Sequence, residues 1–427
     1  MRTRRELLAS ALAAAGAAAA ERYGCAAPLL AAASGPPRPA RWWRPLAGGA
    51  VSCGLCFRGC EIAEGGRGEC GVRENRGGKL KTLVWGRPSA LAVDPVEKKP
   101  FFHVLPGAQA LSLGTAGCNF HCRWCQNWEI SQAAPEEVPS TPLEPDEAAT
   151  LAVKKGAPLV ACTYSEPTVF AEYVLDLAVA ARKKGLKTVV VSNGAIREEP
   201  LRDLCDVLAA YKVDLKCHSE KTYREMCAGD LPAVKATLKR LAKAGLWTEV
   251  VTLLIPTVND SEAEVRALAR FVRDEVGKET PLHFTRFHPT YRLTNLPPTP
   301  VATLERSREI ALAEGLSFVY VGNVPGHPGE STYCPGCRRR LIRRVGMATV
   351  ENRLRAGACP DCGAVHDRDV NAAKNILKFS TAGEAGIQAR GAGQNLSGRV
   401  SLTCDEARTD ADDADEADEA VRLEQAA

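Results

Sequence analysis

The residues of this chain best equipped for chemistry are its cysteines. There are seventeen, an odd number. Most fall at short spacings: Cys53-x2-Cys56-x3-Cys60-x9-Cys70, then Cys118-x3-Cys122-x2-Cys125, then the pairs Cys334-x2-Cys337 and Cys359-x2-Cys362. Thiolates this close in sequence converge on metal centres, whereas a secreted disulfide scaffold is shorter and spaces its cysteines more evenly. The central triad offers three ligands. That number suits a [4Fe–4S] cubane with one iron left open, whereas a structural zinc wants a fourth ligand. His121 lies within the triad loop and would strain it as that ligand. The first group supplies four thiolates, with Gly65, Gly66 and Gly68 permitting tight turns, so a structural zinc and a second iron–sulfur cluster both fit it. The last two pairs are the two knuckles of a zinc ribbon.

Elements must hold these loops in place. Short apolar runs recur at 110–113, 159–163, 188–191, 213–216, 249–255, 282–285 and 318–321. Between them lie amphipathic stretches such as 169–184 and 233–244, several ended by a glycine at 185, 245 or 315. Alternating β and α segments with near-continuous apolar strands imply a parallel sheet covered by helices. The expected fold class is α/β: a partial (β/α)6 TIM-like barrel with an N-terminal Cys-rich module and a C-terminal zinc ribbon. In such folds chemistry sits where strands end. The expected division is 1–48 leader and linker, 49–85 N-terminal four-cysteine module, 86–323 barrel core, 324–363 ribbon, and 364–427 tail.

Cys118, Cys122 and Cys125, with Trp124 before the last, resemble the cluster motif of radical S-adenosylmethionine enzymes. Asp94-Pro95-Val96-Glu97-Lys98-Lys99-Pro100, Gly114-Thr115-Ala116-Gly117, Gln126-Asn127 and Ile130-Ser131-Gln132 look like the radical enzyme of the AmmeMemoRadiSam group, which lies near the activating enzyme of pyruvate formate-lyase. The resemblance implies a [4Fe–4S] cluster on the triad and S-adenosylmethionine chelated to its open iron. It further implies reductive cleavage to a 5′-deoxyadenosyl radical and hydrogen abstraction from a substrate, a protein among the candidates. It also implies an electron donor of flavodoxin or ferredoxin type, and the two companion proteins of the group as partners.

The same resemblance carries over to strand ends. Glu166, in Thr163-Tyr164-Ser165-Glu166-Pro167-Thr168, matches the carboxylate that receives the cofactor's amino group, although the family's two glycines are absent; the alternative is a helix cap. Ser192 and Asn193 stand where ribose-binding groups occur. Asp214 and Lys216, two apart on a strand, share a face; Lys216 is the expected partner of the cofactor carboxylate, with a structural pair as the alternative. Ile255-Pro256, Asn259-Asp260 and His288-Pro289 complete the rim, with Asn259-Asp260 also readable as a turn and helix cap.

The bulk numbers are those of an ordinary globular chain: 45% hydrophobic, 25% charged, net charge +4. They give no reason to expect a membrane or nucleic-acid partner. Arg338, Arg339, Arg340, Arg343 and Arg344 make the ribbon basic, read as a solvated hairpin in preference to a phosphate site. At the N-terminus Arg4-Arg5 precedes an apolar Ala-rich run, which resembles a twin-arginine signal. Because the cofactor chemistry draws on cytosolic supplies, a cytoplasmic location is expected, with export by the twin-arginine route as the alternative. His366-Asp367-Arg368-Asp369 through Leu377 resembles the end of transposon-associated RNA-guided nucleases, but Asp369 lacks partner carboxylates for two-metal chemistry. The Gly-rich and acidic tail beyond reads as disordered. Two other functions compete with the enzyme: a zinc or iron–sulfur nucleic-acid-binding module, and an electron carrier. A binding module has no use for polar residues at strand ends.

Overall fold

A computed structural model describes residues 36–365 of the chain. The leader with its paired arginines, the nuclease-like piece at 366–377 and the acidic tail lie outside the described residues. The centre is an eight-stranded sheet: β1 (Ala90–Pro95), β2 (Gln109–Gly114), β3 (Leu159–Cys162), β4 (Lys187–Ser192), β5 (Ala210–Asp214), β6 (Trp247–Leu254), β7 (Leu282–Arg286) and β8 (Val319–Gly322). The strands lie side by side in chain order. β2 to β8 are parallel neighbours, and β1 pairs antiparallel with β2. The seven apolar runs are all strands. The additional strand, β1, is mostly exposed or half-buried and ends in proline, which suits an edge position.

Helices fill the crossovers: α1 (Pro145–Lys154), α2 (Ala171–Lys183), α3 (Glu198–Cys205), α4 (Glu220–Cys227), α5 (Leu231–Ala244), α6 (Glu262–Phe271) and α7 (Val301–Ala313). α5 shows why they form. Asp230 accepts the Ala233 N–H as N-cap, a proline follows in the first turn, and Gly245 closes the helix at φ 69°. Its buried stripe is Leu231, Val234, Leu238 and Leu241, a spacing that turns one face to the sheet. Within the sheet β3 is buried at every residue, as a strand covered on both sides must be.

Two smaller units attach to this core. Residues 38–82 form two three-stranded sheets that carry the N-terminal cysteines on and between short strands such as Val51–Cys53 and Glu61–Ile62. At the other end β9 (Thr332–Tyr333), β10 (Arg340–Val345) and β11 (Ala348–Asn352) build an antiparallel ribbon.

Candidate functional site

The loop after β2 carries the central triad. Its backbone is tied to the end of α4: His121 N donates to Cys227 O at 2.8 Å, and Arg123 N donates to Met226 O at 2.9 Å. Cys118 and Trp124 are buried, Cys122 and Cys125 partly so, and His121 is exposed. All three thiols and Trp124 line one cavity of about 380 Å3 that runs along the ends of the sheet strands, whereas His121 does not. A tetrahedral ion with metal–sulfur bonds of about 2.3 Å needs sulfurs about 3.8 Å apart. The triad is not such a set. Among the described residues the thiols that meet this test belong to the ribbon. The more open triad, short of one ligand and facing a cavity, suits the donor pattern of an iron–sulfur cubane.

Across the cavity Glu166 is buried at the end of the β3 loop. It caps the short helical turn Pro167–Phe170 by accepting Thr168 N at 2.9 Å. It also accepts Ser192 Oγ at 2.6 Å and Asn193 N at 2.8 Å. The capping role and the cavity role therefore coexist. Burial raises its pKa, against which these three hydrogen bonds act. Asn193 Nδ2 in turn donates to Asn119 Oδ1 at 2.7 Å and reaches Cys118 Sγ at 3.9 Å.

Asp214 ends β5 between two lysines: Lys216 Nζ at 2.9 Å and Lys212 Nζ at 3.1 Å. Burial opposes its ionisation, but the two ammonium groups prevail and hold the carboxyl well below its usual range. Lys216 lies two residues beyond the strand, and its ammonium is held strongly charged by Asp214. Lys212 occupies the same face as Asp214 but lies just ahead of the apolar run at 213–216, so the sequence pattern does not include it. Burial pulls its pKa down.

Homology to known proteins agrees with this geometry. The model of the Radical SAM superfamily matches residues 112–269. An uncharacterized protein of Methanocaldococcus jannaschii is 46% identical over 328 residues, 76% of this chain and 98% of the relative. This chain belongs to the radical SAM superfamily. It is thus an enzyme of the radical SAM type, and the family implies a [4Fe–4S] cluster and S-adenosylmethionine. Two solved structures are also similar. One is a domain of pyruvate-formate lyase-activating enzyme from Bacteroides vulgatus, with 17% identity, TM-score 0.35, and coverage of 38% of this chain and 98% of that one. The other is a radical SAM methyltransferase from Sphaerobacter thermophilus, with 16% identity, TM-score 0.41, and coverage of 53% and 71%. The model of the Cas12f1-like TNB domain matches residues 327–376, so that likeness includes the ribbon and not only the piece beyond it.

Further residues line the radical SAM cavity, several of them from the phrases that carry the family resemblance. Lys98 and Lys99, both on Asp94 at 2.7 Å, line it together with Tyr164, Asn127, Thr285 and Met347. Met347 comes from the ribbon hairpin, so the ribbon forms part of the cavity wall. His288 is exposed and outside the lining. Asn259 serves the backbone: it accepts Ile255 N at 2.7 Å and donates to Lys216 O at 2.7 Å.

The two outer modules differ. In the ribbon Cys334 Sγ and Cys362 Sγ are 3.6 Å apart, as are Cys337 Sγ and Cys359 Sγ, and all four thiols lie within 4.8 Å of one another. That is a set for one metal ion. Cys53, Cys56, Cys60 and Cys70 are not gathered so tightly. The ribbon's arginine run also departs from expectation. Arg338, Arg339, Arg340 and Arg343 are exposed, but Arg344 is buried and donates to Phe102 O at 2.7 Å beside the buried Glu97.

Proposed function

We propose that this enzyme cleaves S-adenosylmethionine reductively at a [4Fe–4S] cluster held by Cys118, Cys122 and Cys125, and that it takes hydrogen from a further substrate, a protein among the candidates. The observation that carries this reading is the single cavity onto which the three thiols, the Glu166 carboxylate and the Lys216 ammonium all open. Bound together, the cluster and S-adenosylmethionine supply one-electron cleavage of a sulfonium bond and a carbon radical able to abstract hydrogen. The protein's own groups do the positioning. Glu166, already fixed by Ser192 and Asn193, offers an acceptor for the ammonium of an amino acid, and Lys216 offers a cation for its carboxylate. Asp214 keeps Lys216 charged and in place. Trp124 and Phe120 wall the cavity on the thiol side.

Finer expectations join this reading. Sheet strands in chain order, with residues of β4 to β7 lining one cavity, support a partial barrel. The sequence phrases favour the AmmeMemoRadiSam branch. Zinc in the ribbon is supported by the close approach of its four thiols. The division into leader, N-terminal module, barrel core, ribbon and tail belongs to this proposal. Among the described residues no helix is long and apolar enough to cross a membrane. The cytoplasmic location and the companion partners remain part of the proposal.

The test is direct. Anaerobically reconstituted and reduced protein should release 5′-deoxyadenosine from S-adenosylmethionine, and the Cys118→Ala, Cys122→Ala, Cys125→Ala triple variant should release none. Product from the triple variant would refute the assignment.

A further inference from the structure

The N-terminal cysteines have no part in the cavity, yet they clasp the loop that does. Gly117 precedes Cys118 with φ +86°, and a Cβ there would stand 2.5 Å from the carbonyl oxygen of Cys70. Asn119 follows Cys118, and Arg58, two residues past Cys56, donates to Asn119 O at 3.0 Å and to Ala228 O at 2.7 Å. Both neighbours of the first central cysteine are therefore held by the outer module. Phe57 meets the edge of Phe120 at 5.6 Å. Cys56 also bridges to Ile196, beyond β4.

At that loop Asn193 Nδ2 donates to Asn119 Oδ1 at 2.7 Å and reaches Cys118 Sγ at 3.9 Å. Cys53 and Cys56 are buried, while Cys60 and Cys70 are partly open to solvent. The fully buried guanidinium of Arg73, three residues past Cys70, is paired with the buried Glu172 at 3.0 Å and fixes the module to α2. The thiols are spread more widely than the ribbon's, which suits a cluster of several irons better than one ion.

We propose that Cys53, Cys56, Cys60 and Cys70 hold an iron–sulfur cluster that relays single electrons to the central site through the contact between Cys70 and Gly117. The proposal rests on the central reading above. A reduced donor of ferredoxin or flavodoxin type loses one electron at the Cys60 face. The outer cluster gains that electron and then passes it inward, returning to its oxidised form, and no bond or proton changes hands.

Metal analysis separates this proposal from the central reading. The Cys118, Cys122, Cys125 triple Ala variant of the full chain should still bind about two or four irons with matching sulfide, and it should give the paramagnetic signal of a reduced cluster. Zinc without sulfide in that variant would overturn the proposal, whatever the wild type does with S-adenosylmethionine. For the relay itself, Cys56→Ser is compared with wild type under two reductants, dithionite and a reduced ferredoxin. The ratio of ferredoxin-driven to dithionite-driven 5′-deoxyadenosine formation should fall about tenfold, about 1.4 kcal/mol in barrier terms. An unchanged ratio would refute electron transfer by this path. If wild type yields no 5′-deoxyadenosine with either reductant, the central reading fails, while the iron and sulfide count still decides the outer site.

Discussion

The two outer cysteine modules open alike in sequence, each with a C-x2-C pair, but they meet the core in different ways. The ribbon gathers its four sulfurs into one compact set and attaches through side chains: Arg344 runs into the core beside Glu97, and Thr349 Oγ1 donates to Glu97 Oε1 at 2.6 Å. The N-terminal module spreads its sulfurs; it has a buried ion pair of its own, Arg73 with Glu172 at 3.0 Å, but it also grips the catalytic loop, with Cys70 against Gly117 and the Arg58 guanidinium on the carbonyls of Asn119 and Ala228. A module held to the catalytic loop shares that loop's geometry. A module anchored away from that loop shapes the cavity wall and can be loosened without moving the thiols. Spacing alone says that metals bind; the mode of attachment says what each metal can influence.

The largest effect on stability should come from the ribbon anchor. Arg344→Ala leaves Glu97 buried without its cation, a loss of about 3–5 kcal/mol for a fully buried pair, measured by denaturant unfolding. Radical chemistry in the surviving folded fraction should change little. A fall in 5′-deoxyadenosine per folded molecule would mean that the ribbon reaches further than the wall. Arg58→Ala should cost less, about 1.5–3 kcal/mol for charged hydrogen bonds to carbonyls. It should, however, shift the spectrum of the central cluster, which Arg344→Ala should leave alone. If both variants perturbed the spectrum equally, the contrast between the modules would collapse.

The smallest effect concerns acid. Within the N-terminal module Glu74 lies between Arg76 and Arg67, and the hydrogen bond from Arg76, followed by that from Arg67, holds its carboxyl below the usual range. A depressed carboxyl contributes stability above its unfolded value, near 4.3, and loses it as pH falls through the folded value. Glu74→Gln should therefore cost about 1 kcal/mol or less at neutral pH. The gap from wild type should close progressively below about pH 4. A gap that persisted in acid would assign the loss to packing instead of charge.

Much of this is legible in the sequence. The seven parallel strands announce themselves because strands buried on both faces are apolar throughout, and Cys118, Cys122, Cys125, Glu166 and Lys216 meet at one cavity. The failures have local causes. Arg344 sits in a run of arginines that reads as uniformly solvated, but a register shift between Arg343 and Arg344 turns it inward, and nothing in the residue types marks that bulge. Lys212 is hidden because a charged residue inside a buried strand contradicts the apolar pattern that reveals strands; only its partner Asp214 makes it tolerable. His288 looks like part of the rim because it follows β7 closely, but a short step of chain beyond the strand is enough to carry it outside. The contact of Cys70 and Arg58 with the central loop joins segments far apart in the chain, which no spacing rule encodes.

That contact bears on how the protein is made. Strands β1 to β8 pair with their chain neighbours, so the sheet can grow in the order of synthesis. The N-terminal module breaks this sequence. It emerges first, but the Arg58 bond to Ala228 spans 170 residues and must wait for α4 to leave the ribosome. During that interval its four thiols are exposed to the cell. Metal delivery to them would therefore have its opportunity before the core closes over Cys53 and Cys56, which makes maturation a matter of timing as well as affinity.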